Sequence, residues 1–381
     1  MPFYQNRGKT PPKRHTVFKY NNKMCFEELV SREGFSSMYT NLYHLHMPTT
    51  ISKVDTFHSI NISKSNKKHQ AQHIKTFDST SSGDAVTARV PLLFNDDLII
   101  STVCVDSEMS FLYRNGYFDE LLYVQYGKGV LSTNYGDLCY KEGDYIVIPR
   151  GVIWQLNHDE KTKLLVIESV KPIETPSKYR NKFGQLLESS PFCERDIVTP
   201  TLKEPIDDKN DYLVRVRVND GIQDYIYDHH PFDVVGWDGY YFPWIFNINN
   251  FEPIVGSIHQ PPPVHQTFAS QNFVICSFVS RLFDFHKDAI PAPYPHSNVD
   301  SDEVIFYSAG DFMSRKGISN ESITYHPMGL PHGPQPGKYE ESIGKKKTEE
   351  LAVMIDTFKP LKLTKDALKL GDEEYPLSWK K

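Results

Sequence analysis

Two histidines and one carboxylate in the second half of the chain have the types and the order of a metal site. His296 precedes Glu303, an apolar run begins directly after the glutamate, and His332 follows further along. Two imidazoles and one carboxylate on one face of a metal ion form the set that holds non-haem iron(II), with open positions for a substrate and dioxygen. The sequence therefore predicts an Fe(II) site with His296, Glu303 and His332 as ligands.

The spacing around the first two of these residues matches a motif of cupin-type β-barrels, Gly-x5-His-x-His-x3–4-Glu-x6-Gly. Here His296-x-Asn298-x4-Glu303-x6-Gly310 follows that pattern, with Asn298 in place of the second histidine. Alternate residues of a strand face the same side, so this spacing directs the ligands into the interior of a barrel. Loss of one histidine from a four-ligand set leaves the two-histidine, one-carboxylate set.

The third ligand belongs to the second motif of such barrels, Gly-x5-Pro-x-Gly-x2-His-x3-Asn. Pro327-x-Gly329-x2-His332 matches it, with Glu321 where the leading glycine would stand. Either motif alone marks turns and little more. Both in order, in a chain rich in strand patterns, predict the metal site.

The first half of the chain keeps the same turns without the ligands. Glu120-x6-Gly127 preserves the end of the first motif, and residues 143–154 preserve the second as Gly-x5-Pro-x-Gly-x2-Trp, with Trp154 at the histidine position. Residues 91–157 contain no histidine. We therefore expect a metal-free first barrel that serves as a scaffold or in assembly.

Two series of short apolar runs carry these motifs, one from residue 91 and one from residue 224. The runs recur every ten residues or so and are separated by Gly- and Asn-containing turns, which is typical of an antiparallel sandwich or barrel. The pattern predicts an all-β dominated bicupin of two cupin-like antiparallel β-barrels or jelly rolls, with a few short helices and extended terminal arms.

The break between the two series sets the predicted domain organisation. We expect, in order, an N-terminal arm with an accessory β region (1–90), a degenerate metal-free barrel (91–175), a connecting segment (176–222), a metal-binding catalytic barrel (223–360) and a C-terminal tail (361–381).

Composition excludes several classes of function. Of the 381 residues, 39% are hydrophobic, and the net charge of -6 gives no reason to expect nucleic acid as a partner. The sequence has no apolar run of membrane-spanning length. The basic start of the chain is not followed by the apolar core of a signal segment, so we do not expect secretion. The five cysteines lack CxxC spacing, which favours reduced thiols and a cytoplasmic protein without membrane association.

Val-Gly-Trp-x-Gly at 235–239 is followed by Tyr-x-Pro at 241–243, and Pro-Tyr-x-His stands at 293–296. These segments resemble the VGW-x-G-x-Y-x-P and PPYYH segments of the homogentisate 1,2-dioxygenase family of bicupin-type iron enzymes. The resemblance is strongest from residue 233 to residue 337 and is diffuse over the first half.

The resemblance implies roles for residues around the metal. His259 falls near the family's acid–base histidine, and His326 near a histidine that contacts the substrate, so both are candidate catalytic residues. Tyr294, Phe312, Arg315 and His326 are the candidate substrate-binding residues. Phe312 replaces a tyrosine of the family that contacts the substrate carboxylate, a hydrogen bond that phenylalanine cannot donate. Arg315 falls near a lysine of the family and can still meet a carboxylate.

The activity implied by the resemblance is Fe(II)-dependent cleavage of an aromatic ring by O2, with homogentisate converted to 4-maleylacetoacetate in tyrosine and phenylalanine catabolism. The resemblance also implies a homo-trimer or hexamer. Two alternatives stay open: a related cupin dioxygenase that acts on gentisate or another diphenol, and a non-catalytic metal-binding bicupin.

Several residues keep competing interpretations. The gap from the first histidine to the carboxylate is one residue longer than in the family, so Asp302 competes with Glu303 as a ligand. His265 is an alternative acid–base residue. His44 and His46 form a His-x-His pair that would share one face of a strand, and a surface or interface strand is the simpler interpretation of that pair.

Overall fold

The computed structural model describes residues 3–66 and 68–380. Its regular structure is dominated by strands, as the short apolar runs predict. In the N-terminal half the strands are β1 (Gln5–Gly8), β2 (Lys19–Tyr20), β3 (Lys23–Met24), β4 (Phe26–Ser31), β5 (Tyr39–His44), β6 (Ile51–Ser59), β7 (Gln72–Lys75), β8 (Val90–Phe94), β9 (Leu98–Val105), β10 (Leu112–Asn115), β11 (Asp119–Tyr126), β12 (Gly129–Thr133), β13 (Gly136–Tyr140), β14 (Asp144–Ile148), β15 (Ile153–His158) and β16 (Thr162–Ser169).

The remaining strands are β17 (Ile197–Val198), β18 (Tyr212–Val218), β19 (Gly221–Tyr227), β20 (Val234–Gly239), β21 (Trp244–Asn247), β22 (Gln266–Ala269), β23 (Phe273–Phe278), β24 (Arg281–Leu282), β25 (Asp302–Ala309), β26 (Ser322–His326), β27 (Lys347–Thr348), β28 (Leu351–Thr357) and β29 (Lys362–Leu363). Two short helices, α1 (Lys338–Ser342) and α2 (Lys365–Lys369), follow the second motif. Among the described residues, no helix is long and apolar enough to cross a membrane.

Three large sheets form the body of the protein. A central sheet has the order β17-β21-β14-β11-β16-β9-β8-β29, a second sheet β13-β12-β15-β10-β18-β19-β6, and a third β22-β23-β28-β25-β26-β7. Neighbouring strands in them are antiparallel except β10 and β18, which are parallel. The sheets pack face to face as jelly rolls instead of closing into barrels, and this arrangement confirms the predicted all-β bicupin class.

Alternation along β11 shows how the central sheet is covered on both faces. Tyr123 points to one side, where its hydroxyl lies 2.8 Å from the Ser308 hydroxyl of β25. Glu120 points to the other side, where it meets Trp154 of β15. Because successive residues of a strand face opposite ways, β11 is covered on both sides and its eight residues are buried or half-buried.

The same alternation along β25 defines the surface that carries the candidate site. Ser308 and Phe306 face the central sheet, and Phe306 packs on Tyr123 at 6.1 Å. Glu303 and Tyr307 face the opposite way, into a cavity on the outer face of the third sheet. Loops cover this face, together with the small sheet formed by β24 and β27.

Backbone conformation explains the motif glycines. Gly310 and Gly127 follow β25 and β11 with φ of +97° and +100°, the left-handed region that glycine adopts without a steric penalty. A Cβ on Gly310 would lie 2.0 Å from the backbone oxygen of Glu349. Glu321, which stands where the second motif has glycine, also has a positive φ of 62°. Its carboxylate pairs with Lys163 at 2.9 Å.

The terminal segments are tied to the sheets. In the N-terminal arm, β1 pairs with β20. The C-terminal tail folds back onto the body: Thr364 caps α2 by accepting a hydrogen bond from the backbone of Ala367, and Tyr375 is buried. Strands from several predicted segments share sheets, since β7 lies in the third sheet and β29 in the central one. The predicted segment boundaries, whose outermost residues lie outside the described part of the chain, stay a prediction.

Candidate metal centre

Glu303 lies at the start of β25 and projects into the cavity, whereas its neighbour Asp302 projects toward the interior. Asp302 already accepts hydrogen bonds from the Tyr325 hydroxyl at 3.0 Å and from the backbone N–H groups of Met328 and Leu361 at 2.7 Å each. Its carboxylate thus holds together three chain segments. The structure places Glu303, and not Asp302, beside the two histidines.

His296 and His332 come from two loops that form a one-residue antiparallel bridge. The backbone N–H of His296 donates to the carbonyl of His332 at 2.8 Å, and the reverse hydrogen bond is 2.9 Å long. The two imidazole rings have centroids 4.3 Å apart. This bridge fixes the separation of the two side chains although neither residue belongs to a regular strand.

Hydrogen bonds to the backbone select which ring nitrogen faces the glutamate. Nδ1 of His296 lies 3.2 Å from the carbonyl of Tyr294, and Nδ1 of His332 lies 3.2 Å from that of Leu330. A carbonyl can only accept, so each Nδ1 carries the hydrogen and each Nε2 presents a lone pair. The two Nε2 atoms lie 3.7 Å and 3.5 Å from Glu303 Oε2.

The three side chains fit a metal ion. One ligand atom from each residue lies within 4.8 Å of the others. Nε2 of His332 is buried and has no hydrogen-bond partner within the part of the chain that the structure describes. A buried lone pair without a donor costs free energy, and a cation bound by all three residues would satisfy it. Two imidazoles and one carboxylate are a donor set suited to iron(II).

His326 lies behind this group and holds the carboxylate in place. Its Nδ1 is 2.8 Å from Glu303 Oε1, its Nε2 is 3.1 Å from the Tyr375 hydroxyl, and its ring stacks on that of His332 at 4.6 Å. Because an ionised carboxylate only accepts, Nδ1–H donates to Glu303 and Nε2 accepts from Tyr375. Both ring nitrogens are thus engaged, and His326 does not line the cavity.

The electrostatics agree with this orientation. Burial lowers the pKa of His326 to about 4 despite its hydrogen bond with Glu303, so the ring is neutral near pH 7. Burial raises the pKa of Glu303, but the three adjacent imidazoles of His296, His326 and His332 outweigh burial and hold the pKa well below its ordinary value. The carboxylate is therefore ionised, as a metal ligand must be.

The cavity in front of Glu303 has a volume of about 510 Å³, within the range of small-molecule sites. Arg315 lies in its wall and is buried, with Nη1 donating to the carbonyl of Gly333 at 2.6 Å. Nε of Arg315 has no hydrogen-bond partner among the described residues. Phe312 also lines the cavity and packs edge-on against Tyr307 at 4.6 Å. The wall thus combines a cation with an unused donor and an aromatic surface.

Two further histidines line the same cavity in different environments. His259 is partly exposed, its Nδ1 lies 3.4 Å from Asp284, and its ring meets that of Tyr294 at 4.9 Å. His265 is buried against Phe278, and its Nδ1 lacks a partner among residues 3–66 and 68–380. Burial lowers the pKa of His265 to about 3, and the charge of Arg281 adds to this effect. His265 therefore stays neutral near pH 7 and is poorly suited to accept a proton.

Sequence reasoning missed Asp356 on β28. This residue pairs in register with Glu303 and lines the cavity. Its Oδ1 is buried and, in the described structure, unpartnered. Burial and the charge of Glu303 raise the pKa of Asp356 to about 7. A single acidic residue in the apolar run Leu-Ala-Val-Met-Ile-Asp was the signal that could have found it.

The remaining candidate residues lie away from the cavity. His44 is buried between Asp233, at 2.7 Å, and Glu28, at 3.1 Å, and His46 also contacts Asp233 at 3.3 Å. These pairs tie β5 to the segment before β20. His44 ends β5, an internal strand of its sheet, and His46 lies just beyond that strand; the structure gives both histidines structural contacts.

Comparisons with known proteins find sequence similarity to dioxygenases. A family model described as the N-terminal part of homogentisate 1,2-dioxygenase matches residues 84–248. A protein of Saccharolobus solfataricus named "Putative dioxygenase" is 43% identical over 383 residues, which cover 100% of this chain and 99% of that protein.

More distant relatives match over part of their length. The homogentisate 1,2-dioxygenase of Rhodopseudomonas palustris is 26% identical over 270 residues, or 65% of this chain and 58% of that enzyme. That of Drosophila melanogaster is 24% identical over 243 residues, or 61% of this chain and 54% of that enzyme. Among solved structures, a cupin 2 conserved barrel domain protein from Leptotrichia buccalis has a TM-score of 0.38 and 12% identity over 80% of this chain and 100% of that chain.

Proposed function

The chain belongs to the homogentisate 1,2-dioxygenase family, and from this premise we propose that it is an iron(II)-dependent dioxygenase that opens the ring of a dihydroxylated aromatic acid. The proposed reaction is homogentisate plus O2 to 4-maleylacetoacetate. The observation that carries the proposal is the cluster of His296, Glu303 and His332 beside a cavity that also contains Arg315.

His296, Glu303 and His332 would hold the iron. When bound, iron(II) would supply the redox chemistry that lets dioxygen react with an aromatic ring. Glu303 contributes the negative charge, and the backbone carbonyls at Tyr294 and Leu330 keep each Nε2 free of hydrogen. His326 fixes the second carboxylate oxygen, so that Oε2 alone faces the histidines.

Arg315 and Phe312 would bind the substrate's carboxylate and ring. A guanidinium whose Nε lacks an acceptor among the described residues can donate to a carboxylate, and such charge-assisted hydrogen bonds are among the stronger ones. Phe312 and Tyr294 offer aromatic surface for the ring. Substrate contact by His326 stays a prediction. In the structure both of its ring nitrogens already form hydrogen bonds, one with Glu303 and one with Tyr375.

Proton transfer is assigned to His259. Its Nδ1 faces the carboxylate of Asp284, which leaves Nε2 as the proton acceptor for a phenolic hydroxyl. The nearby carboxylate also stabilises the imidazolium that forms. His265 lacks such a partner in the described structure and is held neutral by burial, so it is the weaker candidate for this role.

Oxygen uptake by the iron-loaded protein tests the proposal. We expect consumption of O2 with homogentisate, and loss of both bound iron and activity in His332→Ala. His286→Ala is the matched control, because His286 is an exposed histidine of a nearby loop. Full iron and full activity in His332→Ala would refute the ligand assignment.

A related diphenol such as gentisate is the second candidate substrate. Phe312 favours it, because this residue replaces the tyrosine that contacts the substrate carboxylate in the family. No uptake with homogentisate but uptake with gentisate would move the function to that reaction. Tight binding of zinc, without bound iron and without oxygen uptake, would favour a non-catalytic metal-binding bicupin. Assembly into trimers or hexamers stays a prediction, which a monomer in light scattering would contradict.

A further inference from the structure

The first half of the chain has its own buried polar group at the motif positions. Glu120 and Trp154 stand where the second half has Glu303 and His332. Nε1–H of Trp154 donates to Glu120 Oε2 at 3.1 Å, so these two side chains face each other between the sheets. The other oxygen, Oε1, accepts from Nη1 of Arg89 at 2.7 Å. The cation beside this carboxylate is thus a guanidinium.

Four buried charges meet at this position. Glu168 lies 3.6 Å from Arg89 and 3.8 Å from Arg217. These three side chains and that of Glu120 are each less than a tenth exposed. The charges balance, but the hydrogen bonds do not. Arg89 uses Nε for the carbonyl of Ala85 and Nη1 for Glu120, while its Nη2 is buried with no partner in the described structure. A buried charged donor without an acceptor costs free energy.

A cavity of about 370 Å³ lies against this group and is lined by Arg89, Glu168 and Arg217. Its size falls within the range of small-molecule sites. The hydroxyls of Ser101 and Tyr113 add hydrogen-bonding groups, while the wall also includes the aliphatic residues Ile60, Val86 and Ile222. Among the residues that the structure describes, none lines both this cavity and the one beside Glu303.

We propose that this cavity is a second ligand site, which binds a small carboxylic acid with an apolar body. The ligand's carboxylate supplies the acceptor that Arg89 lacks, reached by a small rotation of the guanidinium, and Arg217 adds a second positive charge. The aliphatic wall contacts the apolar body. Two carboxylates of the protein already balance the charges of the two arginines, so directed hydrogen bonds, and not net charge, hold the ligand. The proposal does not depend on the ring-cleavage chemistry.

Calorimetric titration with benzoate tests the site. The protein carries Arg315→Leu in these measurements, so that the cavity beside Glu303 no longer offers its arginine. We expect one saturable site for benzoate and at least about tenfold weaker binding of benzamide, its neutral isostere, because hydrogen bonds between charged partners exceed neutral ones by this order. An absence of saturable binding, or equal affinity for both compounds, would overturn the proposal.

Two further variants place the binding in the cavity. Thr87 is exposed at the cavity wall, so Thr87→Trp should block it and weaken benzoate at least about tenfold. Thr49→Trp, at an exposed threonine elsewhere, should leave binding unchanged. Arg89→Gln should abolish the preference for benzoate over benzamide. Thr87→Trp leaves the buried charges intact. If this variant bound benzoate as tightly as the protein with Thr87, the proposal would be overturned, even if Arg89→Gln did not fold.

Discussion

Replacing His326 by leucine separates two roles for this residue that lead to different measurements. If His326 positions Glu303, as its 2.8 Å hydrogen bond indicates, the loss falls on iron affinity. If it contacts the substrate, as the family resemblance implies, the loss falls on KM or kcat at full iron. The ring is buried behind Glu303 and outside the cavity wall, so we expect the first outcome.

The magnitude follows from the hydrogen bond that is removed. A hydrogen bond to a charged group contributes about 1.5–3 kcal/mol, which corresponds to roughly 10- to 150-fold in an equilibrium constant. Removal of groups that orient metal ligands typically costs about 10- to 100-fold in affinity. We therefore expect His326→Leu to bind iron(II) about 10- to 100-fold more weakly and to regain most of its activity at high iron concentration.

The assay is anaerobic competition for iron(II) against a chromogenic chelator, followed by oxygen uptake over a range of iron concentrations. Tyr375→Phe serves as the graded control. It removes the neutral hydrogen bond at His326 Nε2, 3.1 Å long, and leaves the bond to Glu303, so its iron affinity should fall by less than about tenfold. Unchanged iron affinity in His326→Leu together with a raised KM for homogentisate would refute the positioning role.

Three further outcomes follow from individual contacts. Arg315→Leu should raise KM for the aromatic acid about 10- to 100-fold with iron content unchanged, because a charge-assisted hydrogen bond is lost. For His44, burial lowers the pKa, but hydrogen bonds with Asp233 and Glu28 outweigh burial and raise it to about 9. The stabilisation by His44 is thus fully present below pH ~6.5 and lost as the pH rises through 9. The destabilisation caused by His44→Gln, measured by urea unfolding, should shrink by about 3 kcal/mol across that window. Gly310→Ala should lower the free energy of unfolding by about 1–3 kcal/mol, since its φ is +97° and the new Cβ would collide with a backbone oxygen.

Matched variants control these measurements. Lys316→Leu removes an exposed neighbouring cation and should leave KM unchanged; an equal rise in both variants would contradict the assignment of Arg315. His58→Gln removes a more exposed histidine, and the same pH dependence there would contradict the role of His44. Gly317→Ala has a φ of +70° but open space around its Cβ, so it reports backbone strain alone. If it destabilised as much as Gly310→Ala, the close contact would contribute nothing.

Much of the architecture follows from local patterns in the sequence. Spacing predicted His296, Glu303 and His332 as candidate ligands, because ligands on strands and tight turns recur at short, fixed separations, and the structure brings these three side chains together. The same spacing predicted the turns at Gly127 and Gly310, which need a positive φ. The substitution of Trp154 for a histidine predicted a metal-free first half.

Residues that the fold brings together from distant segments were beyond sequence reasoning. The choice between Asp302 and Glu303 depended on which of the two adjacent residues faces the cavity. Three donors from other segments hold the carboxylate of Asp302 in the interior, so Glu303 is the one that faces the cavity. We infer a positioning role for His326 because Tyr375, from the C-terminal tail, and Glu303 occupy its two nitrogens.

The sequence by itself thus determined the all-β class and predicted the candidate ligand types and their order, since local spacing and side-chain alternation encode them. Only the tertiary structure decided the direction of each side chain and its partners. The clearest case is Arg89, which pairs with Glu120 and Glu168, while Glu168 also pairs with Arg217, although all four are far apart in the chain. Burial and hydrogen bonding between distant segments depend on how the sheets pack, and no local pattern carries that information.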